Sequence, residues 1–116
     1  MAATMSRSIT SYTVTYYGGG KRITRPYPYR AIIGLWDGQG LIAALYFHDQ
    51  TSTMPDADYL PDTGQPMSHY RIEDMPRILD LLRNESPVYY QQLSNWPEMA
   101  WIRTNLEPVG EGEAAA

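Results

Sequence analysis

Cysteine is missing from the chain, and with it go disulfides, thiolate nucleophiles, iron–sulfur clusters and the cysteine-based zinc sites. Histidine is scarce, so any imidazole chemistry must use His48 or His69. No apolar run approaches the roughly 20 residues that span a bilayer. The opening Met-Ala-Ala-Thr-Met-Ser-Arg lacks the charged region and apolar stretch of a secretory signal. A soluble, cytoplasmic protein is the expectation. Acid is absent from residues 1–36, where Arg7, Lys21, Arg22, Arg25 and Arg30 give a charge of +5, while residues 37–116 carry all 13 acids and a charge of −9. The net is −4, and the asymmetry puts a basic ribbon on an acidic protein.

What is present points to a folded domain. A hydrophobic content of 43%, with 12% aromatic, is too high for a disordered chain. A length of 116 residues suits one domain, 1–116, with its folded part over about 8–107 and an acidic, flexible tail at 108–116. Tyr12, Val14 and Tyr16 alternate with Ser11, Thr13 and Thr15 in the period of a half-buried strand. Gly18-Gly19-Gly20 ends it, and an extended ribbon follows through Pro26 and Pro28. Asp37-Gly38-Gln39-Gly40 between two apolar runs predicts a hairpin of Ala31–Trp36 with Leu41–His48. Met75, Ile78, Leu79 and Leu82 recur at helical spacing and predict one amphipathic helix over 73–84, ended by a left-handed Asn84 and by Pro87. Short strands are expected at 67–71, 88–91 and 99–106, with a long acidic loop at 49–66. The order implies an α+β fold, an antiparallel or mixed sheet of about five strands with the helix on one face.

Both faces of the hairpin are apolar. Strict alternation puts Ala31, Ile33, Leu35, Leu41, Ala43, Leu45 and Phe47 on one side, and Ile32, Trp36, Ile42, Ala44 and Tyr46 on the other. A helix of this length, about 18 Å, covers only one side. The other must meet the N-terminal ribbon, a ligand or a second copy of the chain, unless the sheet curls to cover itself. Ile32, Trp36, Ile42, Ala44 and Tyr46 are therefore the candidate interface of a homodimer, and the leading expectation is a self-associating binding or interaction module.

Two other readings are carried. Lys21, Arg22, Arg25 and Arg30 interleave with Tyr27 and Tyr29, which pairs cations for phosphate with rings for bases and suggests single-stranded nucleic acid or another ligand. The overall acidity and the low density of the cluster favour tyrosines that simply suit strands. The second alternative is a small enzyme or ligand-binding protein using His48 and His69 near the acidic loop. Neighbouring His48 and Asp49 point to opposite faces of a strand, and no serine sits in a nucleophile elbow, so no catalytic residue is assigned. Gly18-Gly19-Gly20-Lys21 lacks the spacing of a phosphate loop. Asp56 and Asp58 start like a calcium loop, but Pro61 stands where glycine is needed. No metal and no cofactor is expected.

Overall fold

Asp37 shapes the central hairpin. Its Oδ1 accepts the backbone N–H groups of Gln39 at 2.7 Å and Gly40 at 3.1 Å. Gly40, at φ 139°, takes a backbone conformation that a side chain would oppose. A computed structural model describes residues 4–18, 21–22, 25–26, 29–49, 58–59, 64–93 and 99–105. In chain order the strands are β1 (Thr4–Ser8), β2 (Ser11–Tyr16), β3 (Lys21–Arg22), β4 (Arg25–Pro26), β5 (Ala31–Asp37), β6 (Gly40–His48), β7 (Asp58–Tyr59) and β8 (Pro66–Arg71). A 3-10 turn (Ile72–Asp74) runs into helix α1 (Met75–Asn84), followed by β9 (Val88–Leu93) and β10 (Ala100–Thr104). The acidic tail and most of the 49–66 segment lie outside the described residues.

The fold is α+β but mostly sheet, and the expectation of one sheet of about five strands is corrected to two principal sheets. One has five strands in the order β2-β5-β6-β8-β7, the other three in the order β1-β9-β10, and β3 with β4 makes a two-residue ladder apart from both. The reason is a single run of chain that changes sheets. At its crossing point, Ile9 N donates to Val88 O and Thr10 N to Trp36 O, both at 2.9 Å. Its first half therefore pairs with β9 and its second with β5. The larger sheet is mixed, because β6 and β8 run parallel.

One side of the larger sheet is the core. Ala31, Ile33 and Leu35 of β5 and Ala43, Leu45 and Phe47 of β6 are all fully buried. Met75 and Ile78 of α1 close over them, with Leu79 and Leu82 at the margin, as the helical stripe requires. The smaller sheet joins the same core through Tyr90, whose hydroxyl lies 2.6 Å from Ser68 Oγ, a buried pair in which each satisfies the other. The helix stops differently from expectation: Asn84 stays helical and bonds Asp80 Oδ1 at 2.6 Å. Glu85 then turns extended, with its N–H on Leu81 O at 3.1 Å.

Candidate functional site

The far side of the larger sheet is made by the alternate residues, with one correction to strict alternation. The β5–β6 register shifts between Leu35 and Trp36, so that Leu35 faces Ala43 while Trp36 faces Leu41. The skipped residue is Ile42, which joins the core, and Leu41 takes its place on the far side. Gly34 lies beneath this patch. A Cβ there would meet Thr13 Oγ1 at 2.7 Å and Trp36 Nε1 at 3.0 Å, so glycine is what lets the indole lie close to the sheet. The indole N–H donates to Thr13 Oγ1 at 3.3 Å. Of the side chains expected to form an apolar patch, Ile32, Trp36 and Tyr46 are half-buried, and Ala44 is buried like Ile42.

Aromatic rings gather at the other end of this face. Tyr29 meets Tyr46 edge to face with centroids 4.8 Å apart, and Tyr17 meets Tyr29 likewise at 5.5 Å. Edge-to-face packing suits the opposite polarity of ring face and ring edge. Burial holds the Tyr46 phenol above its ordinary range, with the phenols of Tyr29 and Tyr17 adding to the shift. Beside Tyr46 stand both histidines. The parallel register sets Tyr46 against His69 and His48 against Arg71, so alternation places His48 and His69 on the same face. His48 Nε2 lies 2.8 Å from His69 Nδ1, and their ring centroids are 5.0 Å apart. Tyr29 reaches the His48 ring at 6.4 Å and Tyr46 the His69 ring at 5.8 Å.

Such a contact needs one proton between two nitrogens: one ring donates, the other accepts, and each fixes its neighbour's tautomer. Whichever way the shared proton points, one of the two remaining ring nitrogens carries a hydrogen and the other a lone pair. Two arginines stand nearby. Arg71 Nη1 donates to the backbone oxygen of Asp49 at 3.1 Å, and Arg30 Nη1 lies 3.8 Å from Asp49 Oδ1. The Arg30 ion pair is partly exposed and contributes little to stability. Among the described residues no group of three or more His, Cys, Asp or Glu is arranged to hold a metal ion.

Comparison with family models, with curated proteins and with solved structures finds no match. Among the described residues no helix is long and apolar enough to cross a membrane. Of the ribbon residues, Tyr29 and Arg30 sit at this face, engaged with Tyr46 and Asp49. The side chains of Lys21, Arg22 and Arg25, and all of Tyr27, lie outside the described residues.

A second feature went unread in the sequence. Strand β2 is an edge of the five-stranded sheet, and it carries two of the three large hydrophobics that the described residues expose, Val14 at 41% and Tyr16 at 60%. Both point to the side where α1 lies, since they pair with the core residues Ile33 and Ala31. Between Tyr16 and the helix runs a groove of about 390 Å³, lined by Ile72, Met75, Pro76, Leu79 and Arg83.

Proposed function

We propose that this chain is a self-associating interaction module, two copies meeting along the β2 margin of the larger sheet. The observation that supports it is an uncharged edge strand with Val14 and Tyr16 exposed beside an open groove. A strand edge presents unpaired N–H and C=O groups, and proteins that stay monomeric usually blunt such edges with lysine, proline or a bulge. The β2 sequence, Ser-Tyr-Thr-Val-Thr-Tyr, has no charge and no proline, and its pairing with β5 has no bulge. Sedimentation equilibrium of the full chain tests the reading. A dimer over the micromolar range is the expected result, and a monomer throughout overturns it.

The meeting of His48 and His69 at 2.8 Å favours a second reading, a ligand site on the far side of the sheet. Rings and imidazoles there suit a planar polar ligand, with Arg30 and Arg71 within the same neighbourhood for an anionic group. Adenosine monophosphate is a suitable probe, with the imidazole NMR signals as the readout. Saturable shifts of both histidines, abolished in His69→Leu, are expected. Unmoved imidazoles up to millimolar nucleotide refute this ligand class.

A further inference from the structure

The exposed strand reads the same in both directions. Tyr12-Thr13-Val14-Thr15-Tyr16 is symmetric about Val14, so an antiparallel copy presents the same side chains in the same order. Two-fold contacts between identical chains need this property, because each residue that meets a second is matched by the reverse contact. The hydrogen-bond phase agrees with it. Tyr17 N donates to Arg30 O at 2.9 Å, and β2 keeps an unshifted register on β5 from Ser11↔Trp36 to Tyr16↔Ala31. Bonding groups alternate along an antiparallel strand. Ser11, Thr13 and Thr15 therefore turn theirs toward β5, while Tyr12, Val14 and Tyr16 turn theirs to the open side.

We infer that two copies join by antiparallel pairing of β2 with β2, the two-fold axis passing at Val14. This rests on the self-association proposed above and gives it a surface and a register. Val14 exchanges both backbone hydrogen bonds with the partner's Val14, and Tyr12 does so with the partner's Tyr16. On the helix side the row is Tyr, Val, Tyr from each copy; on the far side Thr13 stands opposite the partner's Thr15. Aromatic pairs and threonine pairs are among the favourable cross-strand combinations. The two five-stranded sheets become one.

Strand pairing alone makes a small contact, since six residues span only about 20 Å and stable dimers bury roughly 1,200 Å² or more. The groove beside Tyr16 supplies further surface, because it lies on the side where the partner's Tyr12 arrives. Symmetry provides the same groove a second time. A second copy is thus the occupant that both the sequence symmetry and the bonding phase select over an unrelated strand.

A chain without cysteine makes the register testable with single substitutions. Opposed residues in a bonded antiparallel pair have Cα atoms about 5.5 Å apart, inside the disulfide range. Val14→Cys should cross-link the dimer under mild oxidation. Thr13→Cys or Thr15→Cys should not do so alone, but a mixture of the two variants should. Val14→Lys sets two ammonium groups together on the axis and should weaken the dimer by about tenfold or more, its fold checked by circular dichroism. If wild type is a dimer but Val14→Lys associates equally well and Val14→Cys does not cross-link, this inference fails while self-association stands. If wild type is a monomer, both fail, and the edge is left to a strand from a different protein.

Discussion

The two sides of the five-stranded sheet are made by neighbouring residues of the same strands, yet they are built to different standards. On the helix side six residues of β5 and β6 are fully buried, and all of them are aliphatic or phenylalanine. On the far side Ile32, Trp36 and Tyr46 keep part of their surface, and the polar groups among them form specific contacts: indole to threonine, imidazole to imidazole. The difference is one of burial: the helix side is closed by α1, and the far side keeps part of its large side chains at the surface.

The largest test of this contrast uses two adjacent residues. Phe47→Ala empties the helix side and should cost about 3–5 kcal/mol of unfolding free energy in urea. Tyr46→Ala, on the opposite side, should cost about 1–2 kcal/mol. Equal losses would mean that both sides are core. The next test is alkaline pH. Burial, with smaller contributions from Tyr90 and Asp74, pushes the Tyr70 phenol from 10.0 up to about 12. The folded state thus favours the neutral phenol. Its contribution is fully present below pH 10 and disappears as pH rises toward 12, amounting to about 2–3 kcal/mol. Tyr70→Phe should flatten that alkaline limb, and an unchanged limb would assign the loss to other groups.

Gly34→Ala should cost about 1–3 kcal/mol by forcing the indole off the sheet, with a shift in tryptophan fluorescence as its signature. A neutral substitution would show that the far side yields easily. The smallest effect belongs to Asp37, whose carboxyl is held below the usual range by the Gln39 N–H first and then by Arg7. A lowered value stabilises the fold above the ordinary carboxylate range and is lost as pH falls through the folded value. Asp37→Asn should therefore reduce the acid sensitivity of the melting temperature. A wild-type acid limb in that variant would show the turn carboxylate to be irrelevant.

What the sequence revealed and concealed follows from the range of each signal. The hairpin and helix were legible because an Asp-Gly step and an i, i+3, i+4, i+7 stripe are local patterns. Strand β1 was not, since Thr-Met-Ser-Arg-Ser has no apolar alternation and is extended only because β9 pairs with it. The exchange of Leu41 and Ile42 needs a one-residue register shift, and periodicity assumes there is none. His48 and His69 flank the acidic loop in the sequence, but their contact depends on parallel pairing of β6 with β8 across 21 residues. Parallel pairing leaves no turn signature in the intervening sequence.

The run that changes sheets has a consequence for how the molecule comes into being. Ser6 and Gln91 lie side by side through a hydrogen bond of 3.0 Å, yet they are 85 positions apart along the chain. A ribosome therefore releases the first strand long before it makes the segment that will receive it. Until β9 emerges, β1 has no native neighbour in the smaller sheet, and that sheet can close only after Val88–Leu93 has been made.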